Sequence, residues 1–117
     1  MLEIDSVGDV LVAHLHGEID LKVSDALREA LDRALERLPV RHLVFDFGDV
    51  SFIDSTGLGV VLGRYKKVAG AGGRLGVTGL RPPVRRVLEL SGILRISQEF
   101  SSWTEAVAVL GGGGADA

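Results

Sequence analysis

Along this chain the spacing of apolar residues changes several times, and each change predicts an element. Leu2-Glu3-Ile4-Asp5 and residues 10–16 alternate apolar and polar positions, the period of half-buried strands. Val7-Gly8-Asp9 between them provides the glycine of a tight turn, so the chain is expected to open with an antiparallel hairpin. Beyond Gly17-Glu18-Ile19-Asp20, the positions of Leu27, Leu31, Ala34, Leu35 and Leu38 follow helical spacing, with Asp20 or Ser24 available as N-cap and Pro39 as terminator.

Leu43-Val44-Phe45-Asp46-Phe47 is almost continuously apolar, as expected of a central strand covered on both faces. Leu58, Val61, Leu62, Tyr65 and Val68 predict a second helix, closed by Gly70-Ala71-Gly72-Gly73. A strand is expected over residues 74–80. Pro82-Pro83 presets a third helix carrying Val84, Val87 and Leu88, which Gly92 ends. A last strand is expected within residues 94–100. Ser102-Trp103-Thr104-Glu105 has the form of a capping box, placing a fourth helix over residues 103–110. Two strands followed by repeated helix-strand pairs predict an α/β fold: a mixed, mainly parallel sheet of about five strands with about four helices. The expected domain occupies residues 1–110, and the glycine-rich residues 111–117 are expected to form a flexible tail.

Composition narrows the function. A length of 117 residues suits one hydrophobic core, and no apolar run approaches the ~20 residues of a membrane span. There is no cysteine, which excludes disulfides and thiolate chemistry, and the start lacks a signal-peptide pattern, so the cytoplasm is the default location. A net charge of -3 argues against nucleic-acid binding through a basic field. That charge is uneven: residues 1–40 hold nine acidic and four basic side chains, against seven and nine in residues 41–117. Such asymmetry suits a protein partner, although two simply solvated halves would give the same count.

The densest polar and glycine cluster is Ser51-Phe52-Ile53-Asp54-Ser55-Thr56-Gly57-Leu58-Gly59, between the central strand and the second helix, where open α/β sheets place function. It need do no more than start a helix, since Asp54 and Ser55 are both good caps. Gly57, Gly59 and Gly63 are spaced one residue too long for a dinucleotide loop, and no P-loop lysine follows. Ser55 lacks a nucleophile-elbow context, and the only candidate bases are His14, His16 and His42. His14 and His16 share a strand face but have no recognisable third metal ligand. No cofactor or metal is expected. A further possibility makes Ser55 a substrate: phosphorylation at a helix start adds roughly -1.5 to -2 charge where the helix tolerates an anion. Gly57 and Gly59 would leave that start free of bulky side chains.

The stretch from Ser51 to Lys66, with its Asp54-Ser55-Thr56-Gly57-Leu58-Gly59 core and Gly63-Arg64-Tyr65-Lys66 extension, closely resembles the signature of STAS-domain anti-sigma factor antagonists, and favours their sporulation branch. Gly17-Glu18-Ile19-Asp20, Arg41-His42-Leu43-Val44 and Leu90-Ser91-Gly92 extend the likeness over most of residues 2–110. The resemblance implies a non-enzymatic partner switch. The unmodified protein would bind an anti-sigma factor that is also a GHKL-type serine kinase, releasing a sigma factor; phosphorylation at Ser55 would end binding, and a PP2C-type phosphatase would restore it. Asp54, Thr56, Gly57 and Leu58 would surround the phosphoacceptor at the partner interface, with Asp20 contributing from the neighbouring loop. General-stress antagonists and nucleotide- or ligand-binding STAS modules are the alternatives. Leu21-Lys22-Val23-Ser24 departs from the sporulation pattern, and Thr56 is a second hydroxyl beside Ser55.

Overall fold

The computed structural model describes residues 1–115. Its elements in chain order are β1 (Leu2–Val7), β2 (Val10–Ile19), α1 (Leu21–Arg37), β3 (His42–Ile53), α2 (Ser55–Gly70), β4 (Leu75–Thr78), α3 (Pro82–Leu90), α4 (Ile93–Ile96), β5 (Gln98–Phe100) and α5 (Trp103–Ala115). The strands form one sheet in the order β1-β2-β3-β4-β5. β1 pairs antiparallel with β2, and every later pairing is parallel. The expected mixed, mainly parallel sheet with β3 at its centre is therefore present.

Because side chains alternate across a strand, the sheet builds two cores. Leu11, Ala13, Leu15, Leu43, Phe45 and Phe47 face α1, α2, α3 and α4, meeting Leu27, Leu31, Val60, Val61, Val84, Leu88 and Ile93. Val10, Val12 and Val44 face the other way, against Phe100 and the α5 residues Ala106 and Leu110. β2 is thus covered on both faces over most of its length, rather than being the half-solvated hairpin strand expected from its alternation.

Several boundaries differ from expectation: β2 runs on to Ile19 instead of ending at residue 16, β4 covers only Leu75–Thr78, and three further differences are larger. β3 does not end at Phe47 but continues to Ile53, so Ser51, Phe52 and Ile53 belong to the strand and not to a loop. Two register shifts against β2, one between His14 and His16 and one between Gly17 and Glu18, absorb the extra residues of β3. Gly17 sits at the second of these with φ +82, a left-handed conformation that glycine adopts without strain. Next, residues 94–100 are not one strand: Ile93–Ile96 is a short fifth helix that buries Ile93 in the main core, and only Gln98–Phe100 pairs with β4. Finally, α5 runs to Ala115 instead of ending at residue 110, taking in residues 111–115 of the expected tail; residues 116–117 lie outside the described residues. Among the described residues no helix is long and apolar enough to cross a membrane.

Candidate functional site

The register of the sheet brings two helix starts together. Ile19 and Ile53, the last residues of β2 and β3, are partners across the parallel ladder. Each is followed by an aspartate that caps a helix, and the two helices leave side by side. Asp20 accepts a hydrogen bond from Lys22 N at 3.0 Å and begins α1. Asp54 accepts from Thr56 N at 2.9 Å and Gly57 N at 3.1 Å and begins α2. The Asp54 amide in turn donates to Ile19 O at 3.2 Å, locking the cap of α2 to the end of β2.

Asp54 is held further by the Thr56 hydroxyl, which donates to its Oδ1 at 2.6 Å. That bond, followed by the Gly57 amide and, after an opposing desolvation effect, the Thr56 and Leu21 amides, keeps the Asp54 carboxyl below the usual carboxylate range. Its partners therefore come from the first turns of both helices. Ser24 completes the connection: its hydroxyl lies 2.6 Å from Asp20 O and 2.8 Å from Thr56 Oγ1 and, since the Thr56 proton goes to Asp54, donates its single proton to one of these two oxygens. Asp20, Ser24, Thr56 and Asp54 thus form one chain of polar contacts between the two helices.

Ser55 takes no part in that chain. It is the first residue of α2 and exposed, whereas Thr56 is half-buried with its hydroxyl engaged on both sides. The two neighbouring hydroxyls thus differ in geometry: that of Thr56 is held within the site, and Ser55 is presented to solvent. Neither α1 nor α2 has an acidic residue in its first turn, so their positive ends are balanced by the two capping aspartates alone.

The remaining expected site residues divide. Leu58 is half-buried and packs against the main core. Gly59 is exposed, with open space where a side chain would stand. Gly57, however, does not open the helix start to a visitor. It is buried, and a Cβ there would lie 2.8 Å from Ile19 Cγ2, Ile19 O and Ile53 Cγ1. Its lack of a side chain lets α2 sit down on the ends of β2 and β3. Two residues that sequence reasoning passed over also belong here. One is Ser24, weighed only as a cap; its place four residues after Asp20 was the available signal. The other is Leu21, 73% exposed at the first position of α1, equivalent to Ser55 on α2.

The three histidines are engaged elsewhere. His14 Nδ1 lies 2.7 Å from Asp46 and its Nε2 2.9 Å from Asp5. His16 pairs with Asp49 at 3.2 Å, and His42 Nδ1 accepts from Arg74 N at 3.0 Å. No group of three or more potential metal-ligating side chains occurs among the described residues.

Comparison with known proteins places this geometry in context. The STAS domain pattern matches residues 1–106. An anti-sigma F factor antagonist from Paenibacillus polymyxa is 37% identical over 109 residues, covering 93% of each chain. Among solved structures, the anti-sigma factor antagonist SpoIIAA in its unphosphorylated form superposes with a TM-score of 0.81 at 26% identity, covering 93% of this chain and 96% of that one. The phosphorylated form of the Bacillus cell fate determinant SpoIIAA superposes with a TM-score of 0.74 at 25% identity, covering 93% and 99%.

Proposed function

The chain belongs to the STAS domain family, and from that premise we propose that it is an anti-sigma factor antagonist whose binding is switched off by phosphorylation of Ser55. The observation that carries the proposal is the division of labour between neighbouring hydroxyls: Thr56 ties the two helix caps together, and Ser55 stands exposed at the shared helix starts. A kinase can reach Ser55 without disturbing the hydrogen bonds that hold the site.

The docking surface is built around the same residues. Leu21 and Ser55 occupy equivalent first positions on α1 and α2, and Leu62 is an exposed apolar side chain on the face of α2 that carries Ser55 and Gly59. Asp20 and Asp54 place two carboxylates on this surface, with the exposed Lys22 beside Leu21. An unmodified surface offers apolar contact with two carboxylates already satisfied by backbone amides, which suits a partner presenting apolar and basic groups. A phosphate on Ser55 adds roughly -1.5 to -2 charge there. The N-termini of α1 and α2 tolerate that anion, so the domain keeps its fold while the partner meets the charge. Two like charges ~5 Å apart at an effective dielectric of ~20 repel by ~3 kcal/mol, or about two decades of affinity.

In this account the partner is an anti-sigma factor with GHKL-type serine kinase activity, and a PP2C-type phosphatase removes the exposed phosphate. The protein works as a regulatory ligand in the cytoplasm, with no catalytic step of its own. The likeness to an anti-sigma F factor antagonist supports a place in the sporulation branch. The test is to incubate the protein with its anti-sigma factor and ATP and to locate the phosphate by tandem mass spectrometry. Phosphate on Ser55 is the expected result; phosphate on Thr56, elsewhere, or nowhere would overturn the assignment.

A further inference from the structure

At the end of the sheet opposite the helix caps, where β4 and β5 begin, α2 and α4 border an open pocket of about 420 Å³. Its polar lining comes from Arg74, Arg95, Tyr65, Ser97 and Gln98, and it contains no carboxylate. In a protein of net charge -3 this is a locally positive cavity. Among the described residues Arg28, Arg64, Arg81 and Arg85 pair with Asp or Glu, while Arg74 and Arg95, like Arg33, Arg37, Arg41 and Arg86, have no acidic partner; Arg74 and Arg95 alone of these line the pocket.

Arg74 is also held in place. Its backbone N–H donates to His42 Nδ1 at 3.0 Å, and its guanidinium donates to the Gln98 side chain. Ser97 has its hydroxyl proton committed to Ile93 O at 2.7 Å. The rest of the wall is apolar, supplied by Leu75, Ile96 and Ala69. Two guanidinium groups without an acidic partner on one pocket suit a phosphate by charge and donor type, since planar N–H donors bind phosphate oxygens in bidentate fashion. An apolar wall beside them favours a phosphate attached to a small carbon body over the free ion.

We propose that this pocket is a second binding site, for a small phosphate monoester, separate from the surface around Ser55. The phosphate lies between Arg74 and Arg95, and the organic body rests on Leu75 and Ile96. Tyr65 and Ala69 belong to the same α2 helix that begins at Ser55, so the ligand touches the far end of the helix that carries the switch.

Phenyl phosphate and inorganic phosphate are the probes, titrated into the ¹⁵N-labelled full chain and followed by amide chemical shifts. Phenyl phosphate is expected to move amides of residues 65–75 and 93–98, to bind more tightly than inorganic phosphate, and to do so equally in the Ser55→Ala variant. The double variant Arg74→Gln/Arg95→Gln, which changes only exposed side chains, should weaken phenyl phosphate at least about tenfold while keeping the spectrum of a folded protein. Shifts centred on residues 54–58, unchanged affinity in the double variant, or no saturable shift at millimolar probe would each overturn the proposal. None of these outcomes depends on whether Ser55 is phosphorylated.

Discussion

The hydroxyls of Ser24 and Thr56 lie 2.8 Å apart and join the first turn of α1 to the first turn of α2. Each is anchored to the cap of its own helix, Ser24 to Asp20 O and Thr56 to the Asp54 carboxylate. The two helix starts that flank Ser55 are therefore one mechanical unit.

That unit can be tested by substitution. Thr56→Val removes the hydroxyl at constant shape and should cost about 1–2 kcal/mol, while Ser24→Ala should cost about 0.5–1.5 kcal/mol. Because the two hydroxyls are in direct contact at 2.8 Å, the double variant should lose less than the sum of the singles, by at least ~0.5 kcal/mol. Urea denaturation of the four proteins measures the cycle, and strict additivity would mean that the two helix starts are independent.

The glycines of α2 are expected to respond in opposite directions. Gly57→Ala places a methyl 2.8 Å from the Ile19 carbonyl oxygen, a backbone atom that cannot swing aside. A loss of about 1–3 kcal/mol is expected from this overpacking. Gly59→Ala meets nothing within 4 Å on an exposed helical turn, and should stabilise by up to ~1 kcal/mol through helix propensity. Thermal denaturation of both variants decides the matter.

These two glycines also mark what the sequence made legible. Asp20 and Asp54 were readable as caps because an aspartate immediately before helical periodicity has a local cause. The exposed Ser55 followed from the same local pattern. Gly57 was readable only as a small residue; that it faces Ile19 depends on β2 and β3 ending in register, a relation between residues 34 positions apart in number, 19 and 53. The length of β3 was hidden for a similar reason. Gly48, Asp49 and Ser51 break the apolar pattern of the strand, yet all three lie within β3: Asp49 pairs with His16, and Gly48 and Ser51 fall at the two register shifts against β2. The short α4 escaped because Leu94 and Ile96 fit either a helix turn or a strand, and burial of Ile93 under the sheet decided it.

A third expectation concerns pH. His14 of β2 is held between Asp46 of β3 and Asp5 of β1, with the Trp103 ring of α5 edge-on at 5.2 Å. Burial by itself would lower the His14 pKa, but the hydrogen bonds and charges of Asp46 and Asp5 together outweigh it, and the net shift is upward from 6.5. A raised folded-state pKa means that protonated His14 stabilises the fold. Its contribution is complete below pH 6.5 and fades as pH rises through the higher folded value. His42 has the opposite sign: desolvation comes first among its causes and its pKa is lowered, so acidification below 6.5 costs stability there. The comparison of wild type with His14→Gln isolates the first effect. Their difference in melting temperature should be largest below pH 6.5 and shrink on the alkaline side; a constant difference would mean that charge on His14 is not what holds the three strands.

The central claim is that charge at Ser55, and not a change of fold, releases the partner. Titration calorimetry of the anti-sigma factor against the unmodified and the Ser55-phosphorylated protein tests it most directly. The account predicts about a hundredfold weaker binding for the phosphorylated form, with the circular dichroism spectrum of the free domain unchanged. Equal affinities, or a loss of affinity accompanied by loss of helix, would contradict it.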